Sequence, residues 1–313
     1  ALFDRAILQS PPPSLVPLST VEADARARRF LELLGIDPAA PDAAERLRAE
    51  DAADLATVQM ALARELAQFA EITPAFVPVV EGLQTEAAFI EAAANAAAES
   101  GTAIVAGTTR EEMHAFLVPD PAMEHPDPRA VAERFATLAG GEEVIDEFRL
   151  RRPAACMRDL LADLVTDYRF HLPCLRLLES IAARGGRAWA YQFDWAPPRS
   201  RFRACHCIEL PFTFGSFGAW DAPMLEGGDA AEMAALSATI RASWVGFVRH
   251  GTPELGRLRW PKYRADRRWT MQYGQVIGAV GDPAGISLGG RYGIHAAAGT
   301  GAESADRSDG GAG

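Results

Sequence analysis

Residues 202–215, FRACHCIELPFTFG, place one histidine, His206, in a short loop that follows a strand-like run at 187–193. A histidine just past the carboxyl end of a strand can reach a cleft above the sheet, where a general base takes a proton from a nucleophile. A histidine among apolar neighbours can also serve only as a packed structural residue. The loop by itself leaves both interpretations open.

The two residues beside this histidine are Cys205 and Cys207, which makes a zinc site worth testing. Successive side chains diverge, however, and zinc ligands are usually spaced by two to four residues. We therefore expect no metal and no cofactor. The four cysteines of the chain are better explained as free thiols in a reducing compartment.

Composition limits the class of protein. The chain has 313 residues, of which 49% are hydrophobic and 23% charged, and this is typical of a globular protein. Its net charge of −11 argues against a nucleic-acid partner, because phosphate binding needs clustered basic residues. No apolar run is long enough to span a membrane, and no targeting signal is visible, so we expect a cytoplasmic location. The absence of an initial Met and the immediate entry into a strand indicate truncation at the front.

Strand-like and helix-like segments alternate along the chain. Strands are predicted at 5–10, 102–106 and 187–193, with a terminal extended pair at 260–263 and 269–271. Such alternation predicts an α/β fold with a mostly parallel sheet and many helices. We expect one domain over 1–288, with helical insertions at about 19–70 and 128–184. The Gly-, Ala- and Ser-rich segment 289–313 is predicted to be a disordered tail.

Two adjacent carboxylates, Glu111 and Glu112, follow the short apolar strand at 102–106. Open α/β sheets place ligands and catalytic groups at this end of their strands. The alternative is a pair of carboxylates that favourably interacts with the N-terminus of a helix.

Taken together, these motifs resemble the type B carboxylesterases, the α/β-hydrolase family of the para-nitrobenzyl esterases and cholinesterases. The resemblance extends over roughly residues 1 to 275. Its motifs occur in the family's order: LFDRAILQS at 2–10, VAGTTREE at 105–112, YQFDW at 191–195, 206–215, 244–253 and the Trp-Pro pair at 260–261.

The resemblance implies a role for three residues. His206 would be the general base, Glu112 the acid that orients it, and Ser10 a supporting residue near the acid. The implied substrate is a small carboxylic ester. The acid precedes the histidine in the chain, as α/β-hydrolase order requires.

The serine nucleophile of the family is not found in a suitable context. The only literal Gly-x-Ser-x-Gly match, at 285–289, has no strand before it and no helix after it. We therefore expect the C-terminal portion of an α/β-hydrolase fold, without its N-terminal strands, nucleophile elbow and oxyanion hole. Such a fragment is predicted to be inactive alone and to associate with itself through its exposed sheet edge.

Two residues depart from the family pattern: Met113 follows the acid and Pro11 follows Ser10, where the family usually has glycine. Met113 could crowd the site. Aromatic residues near the catalytic loops could line an acyl or alcohol pocket, although packing in the core is the more common role of such residues. These candidates are Phe116, Trp195, Phe212 and Phe214.

Two other functions remain open. The chain could be a non-catalytic binding module of the same fold, although such a module has no need of both Glu112 and His206. It could also be one half of a split esterase whose other half is a separate chain.

Overall fold

A five-stranded sheet organises the computed structural model, which describes residues 2–141, 143–220 and 222–282. The spatial order of the strands follows their order in the chain. The first four strands pair in parallel and the last pair is antiparallel. The strands are β1 (Arg5–Gln9), β2 (Ala103–Thr109), β3 (Arg187–Phe193), β4 (Trp269–Tyr273) and β5 (Ile277–Gly281). The predicted α/β class with a mostly parallel sheet is confirmed.

The strands differ from the sequence prediction in three places. Strand β2 continues beyond 106 to Thr109, because its last residues pair with Tyr191, Gln192 and Phe193 of β3. The segment at 260–263 is not a strand. The antiparallel partner of β4 is instead β5, which the sequence analysis did not identify. The predicted disordered tail and the serine motif at 285–289 lie outside the described residues.

Eleven α-helices connect and cover the described strands. They are α1 (Thr20–Leu33), α2 (Ala43–Ala49), α3 (Ala52–Leu66), α4 (Glu86–Ser100), α5 (His114–Leu117), α6 (Pro128–Ala139), α7 (Val144–Arg151), α8 (Met157–Thr166), α9 (Leu172–Ala183), α10 (Leu210–Phe214) and α11 (Ala230–His250). A π-helical turn, Asp167–His171, joins α8 to α9. A capping box formed by Ser19 and Glu22 starts α1.

Helices cover both faces of the sheet, and successive strand residues alternate between them. Val105 of β2 and the aromatic residues of β3 pack on one side against α11. Ile104 and Ala106 pack on the other side against α4 and α9. The middle strands are therefore apolar on both faces, which is typical of a parallel sheet buried between helical layers.

One glycine permits the closest approach within the sheet. A Cβ atom added at Gly107 would overlap the backbone oxygen and the ring of Tyr191 in the neighbouring strand. A glycine at this point lets β2 continue next to a large aromatic residue and reach the site beyond its end.

The helices α5 to α8 and the π-helical turn form a separate apolar cluster, which includes the fully buried Phe135, Phe148 and Phe170. The segment at 19–70 contributes α1 and α3, which contact each other. Helices thus occupy both regions predicted as insertions. Whether 1–288 forms one domain stays a prediction.

A buried ionic cluster connects the end of the first helical segment to the second. Glu71 binds the guanidinium groups of Arg134 and Arg169. The Glu71 side chain is only 8% exposed. Burial opposes ionisation of this carboxyl, but the two arginines outweigh it and hold the pKa of Glu71 below its usual value.

Within the part of the chain that the structure describes, no helix combines the length and apolar character needed to cross a membrane.

Candidate active site

The end of β2 places Glu112 in direct contact with His206. Nδ1 of His206 donates a hydrogen bond to Oε2 of Glu112 at 2.6 Å. The other carboxylate oxygen, Oε1, accepts the backbone N–H of Thr109 at 2.7 Å. The Glu112 side chain is completely buried. Two residues 94 positions apart in the sequence therefore form one hydrogen-bonded acid–imidazole pair.

Backbone hydrogen bonds hold the two loops of this pair together. The N–H of Glu111 donates to the carbonyl of Ala204 at 2.8 Å, and the N–H of Ala204 donates to Oε2 of Glu111 at 3.1 Å. The N–H of His206 donates to the carbonyl of Glu112 at 3.2 Å. The two adjacent glutamates thus have different tasks: Glu112 contacts the imidazole, whereas Glu111 fixes one loop to the other.

The imidazole of His206 lies close to two aromatic rings. The ring centroids of Phe116 and Phe170 are 5.4 and 5.2 Å from that of His206. Burial lowers the pKa of His206, but contacts with Cys207 and Glu112 outweigh this effect and raise it to about 10. The site therefore stabilises an imidazolium, which is the charge state that a general base acquires when it accepts a proton.

A second histidine, His171, contacts the residue that hydrogen-bonds to the acid. Nε2 of His171, in the π-helical turn, donates to the carbonyl of Thr109 at 2.9 Å. Its Nδ1 lies 3.0 Å from Oδ1 of Asp167. Burial opposes protonation of His171, but its hydrogen bonds to Asp167 and Thr109 raise its pKa. His171 thereby fixes the residue whose N–H holds Glu112, and the sequence analysis did not identify it.

Ser10 lies at the end of β1, and its supporting role stays a prediction. The hydrogen bonds of the Glu112 carboxylate go to Thr109 and His206, and Ser10 instead lies beside the buried Glu209. The φ angle of Ser10 is +48°, in the left-handed region that non-glycine residues rarely adopt. No helix follows it directly, because α1 starts at Thr20.

Glu209 is a further acidic residue close to the pair, three positions after His206. Burial raises the pKa of Glu209 to about 7, and the charge of Glu112 acts in the same direction. Among the described residues, its Oε2 has no hydrogen-bond partner. Its position three residues after the histidine is the sequence signal that could have identified it.

We expect Glu209→Gln to change how stability depends on pH. Because its pKa is raised from 4.5 to about 7, the ionised form is disfavoured in the folded chain, so the wild type loses stability as pH rises through this interval. Glutamine cannot ionise and should abolish that loss. Urea unfolding at pH values below 4.5 and above about 7 measures the change in free energy of unfolding. Glu226→Gln, at an exposed position, is the control. Parallel pH profiles for the wild type and Glu209→Gln would contradict the expectation.

The remaining candidates occupy three environments. Phe116 lies against His206, whereas Trp195 and Phe212 are buried in the core and Phe214 is 71% exposed. Met113 is buried in the helical cluster around Phe135, and its N–H donates to Oγ1 of Thr166 at 3.1 Å. It therefore packs against the helices.

The cysteines show no metal-like arrangement within the residues described. Cys205 is buried and Cys207 is half-buried, and all four cysteines are free thiols. No group of three or more histidine, cysteine, aspartate or glutamate side chains in the described ranges is arranged to hold a metal ion.

A mostly parallel sheet between helical layers, with an acid after one strand and a histidine after the next, defines the class of α/β hydrolases. A model of the carboxylesterase family matches residues 1–278, and the chain belongs to that family.

Individual relatives agree with this assignment. The chain is 31% identical over 270 residues to a phenmedipham hydrolase of Pseudarthrobacter oxydans, an alignment that covers 85% of this chain and 52% of the relative. It is 27% identical over 297 residues to the para-nitrobenzyl esterase of Bacillus subtilis, covering 90% and 55%.

A solved structure, the carboxylesterase EST55 of Geobacillus stearothermophilus, superposes with a TM-score of 0.72 at 26% identity, covering 91% of this chain and 57% of that one. The chain thus spans about half the length of the relatives it matches. The family resemblance and the fold class predicted from the sequence are confirmed.

Proposed function

We propose that this chain supplies the acid and the general base of a serine carboxylesterase. The hydrogen bond of 2.6 Å between Glu112 and His206 is the observation that carries the proposal. The pair has the orientation that the reaction requires, since the carboxylate holds Nδ1 and leaves Nε2 to face a nucleophile. Several relatives are named as esterases or hydrolases, in agreement with a small carboxylic ester as substrate.

In the proposed reaction, the neutral form of His206 is the base: its Nε2 takes the proton of a serine hydroxyl as the hydroxyl oxygen attacks the ester carbonyl carbon. Because the pKa of His206 is raised to about 10, the fraction in this neutral form grows as pH rises towards that value. The Glu112 carboxylate stabilises the resulting imidazolium. The imidazolium then gives its proton to the departing alcohol, which leaves an acyl-serine. A water molecule, deprotonated by the same imidazole, releases the carboxylic acid and restores the serine.

The serine in this scheme comes from outside the described residues. Within 2–141, 143–220 and 222–282, no serine hydroxyl hydrogen-bonds to His206. We infer that the nucleophile and the oxyanion donors belong to a segment that joins the sheet next to β1. Ser10 has a strained backbone but lies beside Glu209, which argues against it as the nucleophile.

Extension of the reading frame upstream of Ala1 tests the proposal. The extended protein should contain a strand, a Gly-x-Ser-x-Gly turn and a helix, and should hydrolyse p-nitrophenyl acetate. His206→Ala in that protein should lower kcat by about 10⁴-fold or more. If neither this frame nor a neighbouring one encodes such a turn, the esterase proposal fails.

The present chain, assayed alone, should hydrolyse p-nitrophenyl acetate no faster than its own His206→Ala variant. Clear turnover that depends on His206 would show that the nucleophile lies within these 313 residues. Ser10→Ala would then identify or eliminate the strained serine.

A split esterase is a second candidate, favoured by the position of β1. Among the described strands, β1 is at the edge of the sheet and pairs only with β2. Its free side could pair with a strand of another chain. A separate reading frame that carries the serine turn would favour this arrangement over a single chain.

The same free edge leads us to expect self-association of the isolated chain. Exposed Leu2 and Phe3 directly precede the strand and add apolar surface. Sedimentation velocity over a range of concentrations should show dimers or larger species that increase with concentration. A single monomeric species throughout would contradict this expectation.

A further inference from the structure

We propose that a cleft beside the catalytic loops binds a small oxyanion that carries two or more negative charges. The cleft has a volume of about 780 Å³ and lies beyond the ends of β3 and β4, next to the start of α8. Residues 194–201 and 274–276 form much of its wall. Neither Glu112 nor His206 lines it, so the proposed site is distinct from the ester site and does not rest on the proposed function.

The charge of the cleft is opposite to that of the chain. Its lining includes five arginines, Arg110, Arg158, Arg199, Arg201 and Arg203. The carboxylates in the lining are Glu111, Asp159 and Asp194. The formal balance is therefore five positive against three negative charges, in a protein whose net charge is −11. An excess of positive charge in a cleft raises the local concentration of anions.

Three of the arginines alternate with two carboxylates along one wall. Arg203 contacts Asp159 at 2.8 Å and Glu111 at 3.9 Å. Arg110 lies 3.3 Å from Glu111, and Arg158 lies 3.6 Å from Asp159. Both ends of this row are arginines, and three of its four contacts are longer than the usual N–H···O hydrogen bond. Each guanidinium carries five N–H donors, so most donors in the row are not used by the carboxylates.

The cleft contains further N–H donors that its carboxylates do not use. Nε of Arg158 is buried and has no hydrogen-bond partner among the described residues. Within the same ranges, no carboxylate lies within salt-bridge distance of Arg199, and Arg201 only reaches Glu124 at 4.0 Å. Asp194 accepts the side-chain amides of Gln192 and Gln272, at 2.6 and 2.9 Å. Its oxygens are thus directed at amides and not at the arginines.

The chemistry of the ligand follows from these groups. Guanidinium donors form paired hydrogen bonds with the oxygens of carboxylates and phosphates. A net excess of two charges favours an anion of similar charge, and the volume is that of a small-molecule site. A polycarboxylate and a phosphate share this chemistry, and the experiment separates the two.

Calorimetric titration of the purified chain with citrate, and separately with inorganic phosphate, tests the site. We expect saturable binding of at least one of them, with an affinity that decreases as NaCl is added. Arg199→Gln should weaken binding about 10-fold, because a charged hydrogen bond to the anion is lost. Arg28→Gln, an exposed arginine of α1 far along the chain, is the matched control and should bind as the wild type does.

Arg203→Gln is the stronger variant but could unfold the chain, because Arg203 also contacts Asp159 and Glu111. Arg110→Gln tests the same wall with a half-exposed residue. Preference for citrate identifies a polycarboxylate site, and preference for phosphate a phosphate site. No saturation by either anion at millimolar concentrations, or equal weakening in Arg28→Gln and Arg199→Gln, would overturn the proposal.

Discussion

Glu112→Ala is expected to destabilise the folded chain by about 3–5 kcal/mol at neutral pH, because it removes the fully buried counter-ion of the His206 imidazolium. The Glu112 side chain is fully buried and has two hydrogen bonds, to Thr109 and His206. Alanine replaces neither of them, and it also leaves a cavity beside the end of β2.

The size of this effect should depend on pH in a defined direction. The pKa of His206 is raised from 6.5 to about 10, so the stability that its charge contributes is fully present below pH 6.5. That contribution is lost as pH rises through about 10. The difference between wild type and Glu112→Ala should therefore be largest below pH 6.5 and smallest above pH 10.

Urea unfolding monitored by tryptophan fluorescence measures the difference in free energy of unfolding. Nuclear magnetic resonance of the His206 ring measures its pKa, which should fall towards 6.5 in the variant. Glu226→Ala removes an exposed carboxylate and serves as the control. An unchanged His206 pKa in Glu112→Ala would show that the carboxylate does not stabilise the imidazolium.

A second large effect is expected for Glu71→Ala, also about 3–5 kcal/mol, since two largely buried arginines lose their shared partner. The side chains of Arg134 and Arg169 are 10% and 24% exposed. Water can therefore replace few of the hydrogen bonds that the Glu71 carboxylate forms with these guanidinium groups. The contact between the first helical segment and the cluster of α5 to α8 should also weaken, because Glu71 links the two.

Glu65→Ala is the matched control, because Glu65 forms a similar two-point contact with Arg29, at 2.8 and 2.7 Å, on the protein surface. Exposed pairs of this type stabilise proteins little. Thermal unfolding of both variants separates the two cases. Equal shifts in Tm would indicate that burial does not determine the contribution of Glu71.

The sequence predicts the first three strands well because each is a short apolar run that is bounded by turn residues or helices. It does not identify β5, since Gly278, Ala279 and Gly281 have low strand propensity and the strand exists through pairing with β4. The segment at 260–263 looks extended but contains Pro261, which cannot donate a backbone hydrogen bond to a ladder. Trp260 instead donates its ring N–H to the carbonyl of Ala190.

In the site, the sequence predicts the partners that chemistry requires but not the residues that position them. Glu112 and His206 stand at strand ends and in family motifs, and the structure brings them into contact, while their catalytic role stays a proposal. His171 lies in a π-helical turn. The pattern of apolar positions in the sequence does not reveal the extra residue that such a turn contains. Its contact with Thr109 depends on how α8 and α9 pack against β2, which only the tertiary structure defines.

The hydrogen bonds between the loops of Glu111 and Ala204 have a thermodynamic consequence. Folding already orders both loops. The entropy cost of aligning the acid with the imidazole is therefore part of the free energy of folding and not of substrate binding. A hydroxyl that approaches Nε2 of His206 then has to restrict only its own motion. An alcohol tethered at this point, for example on a designed peptide, would therefore meet an acid–imidazole pair whose relative position folding has already set.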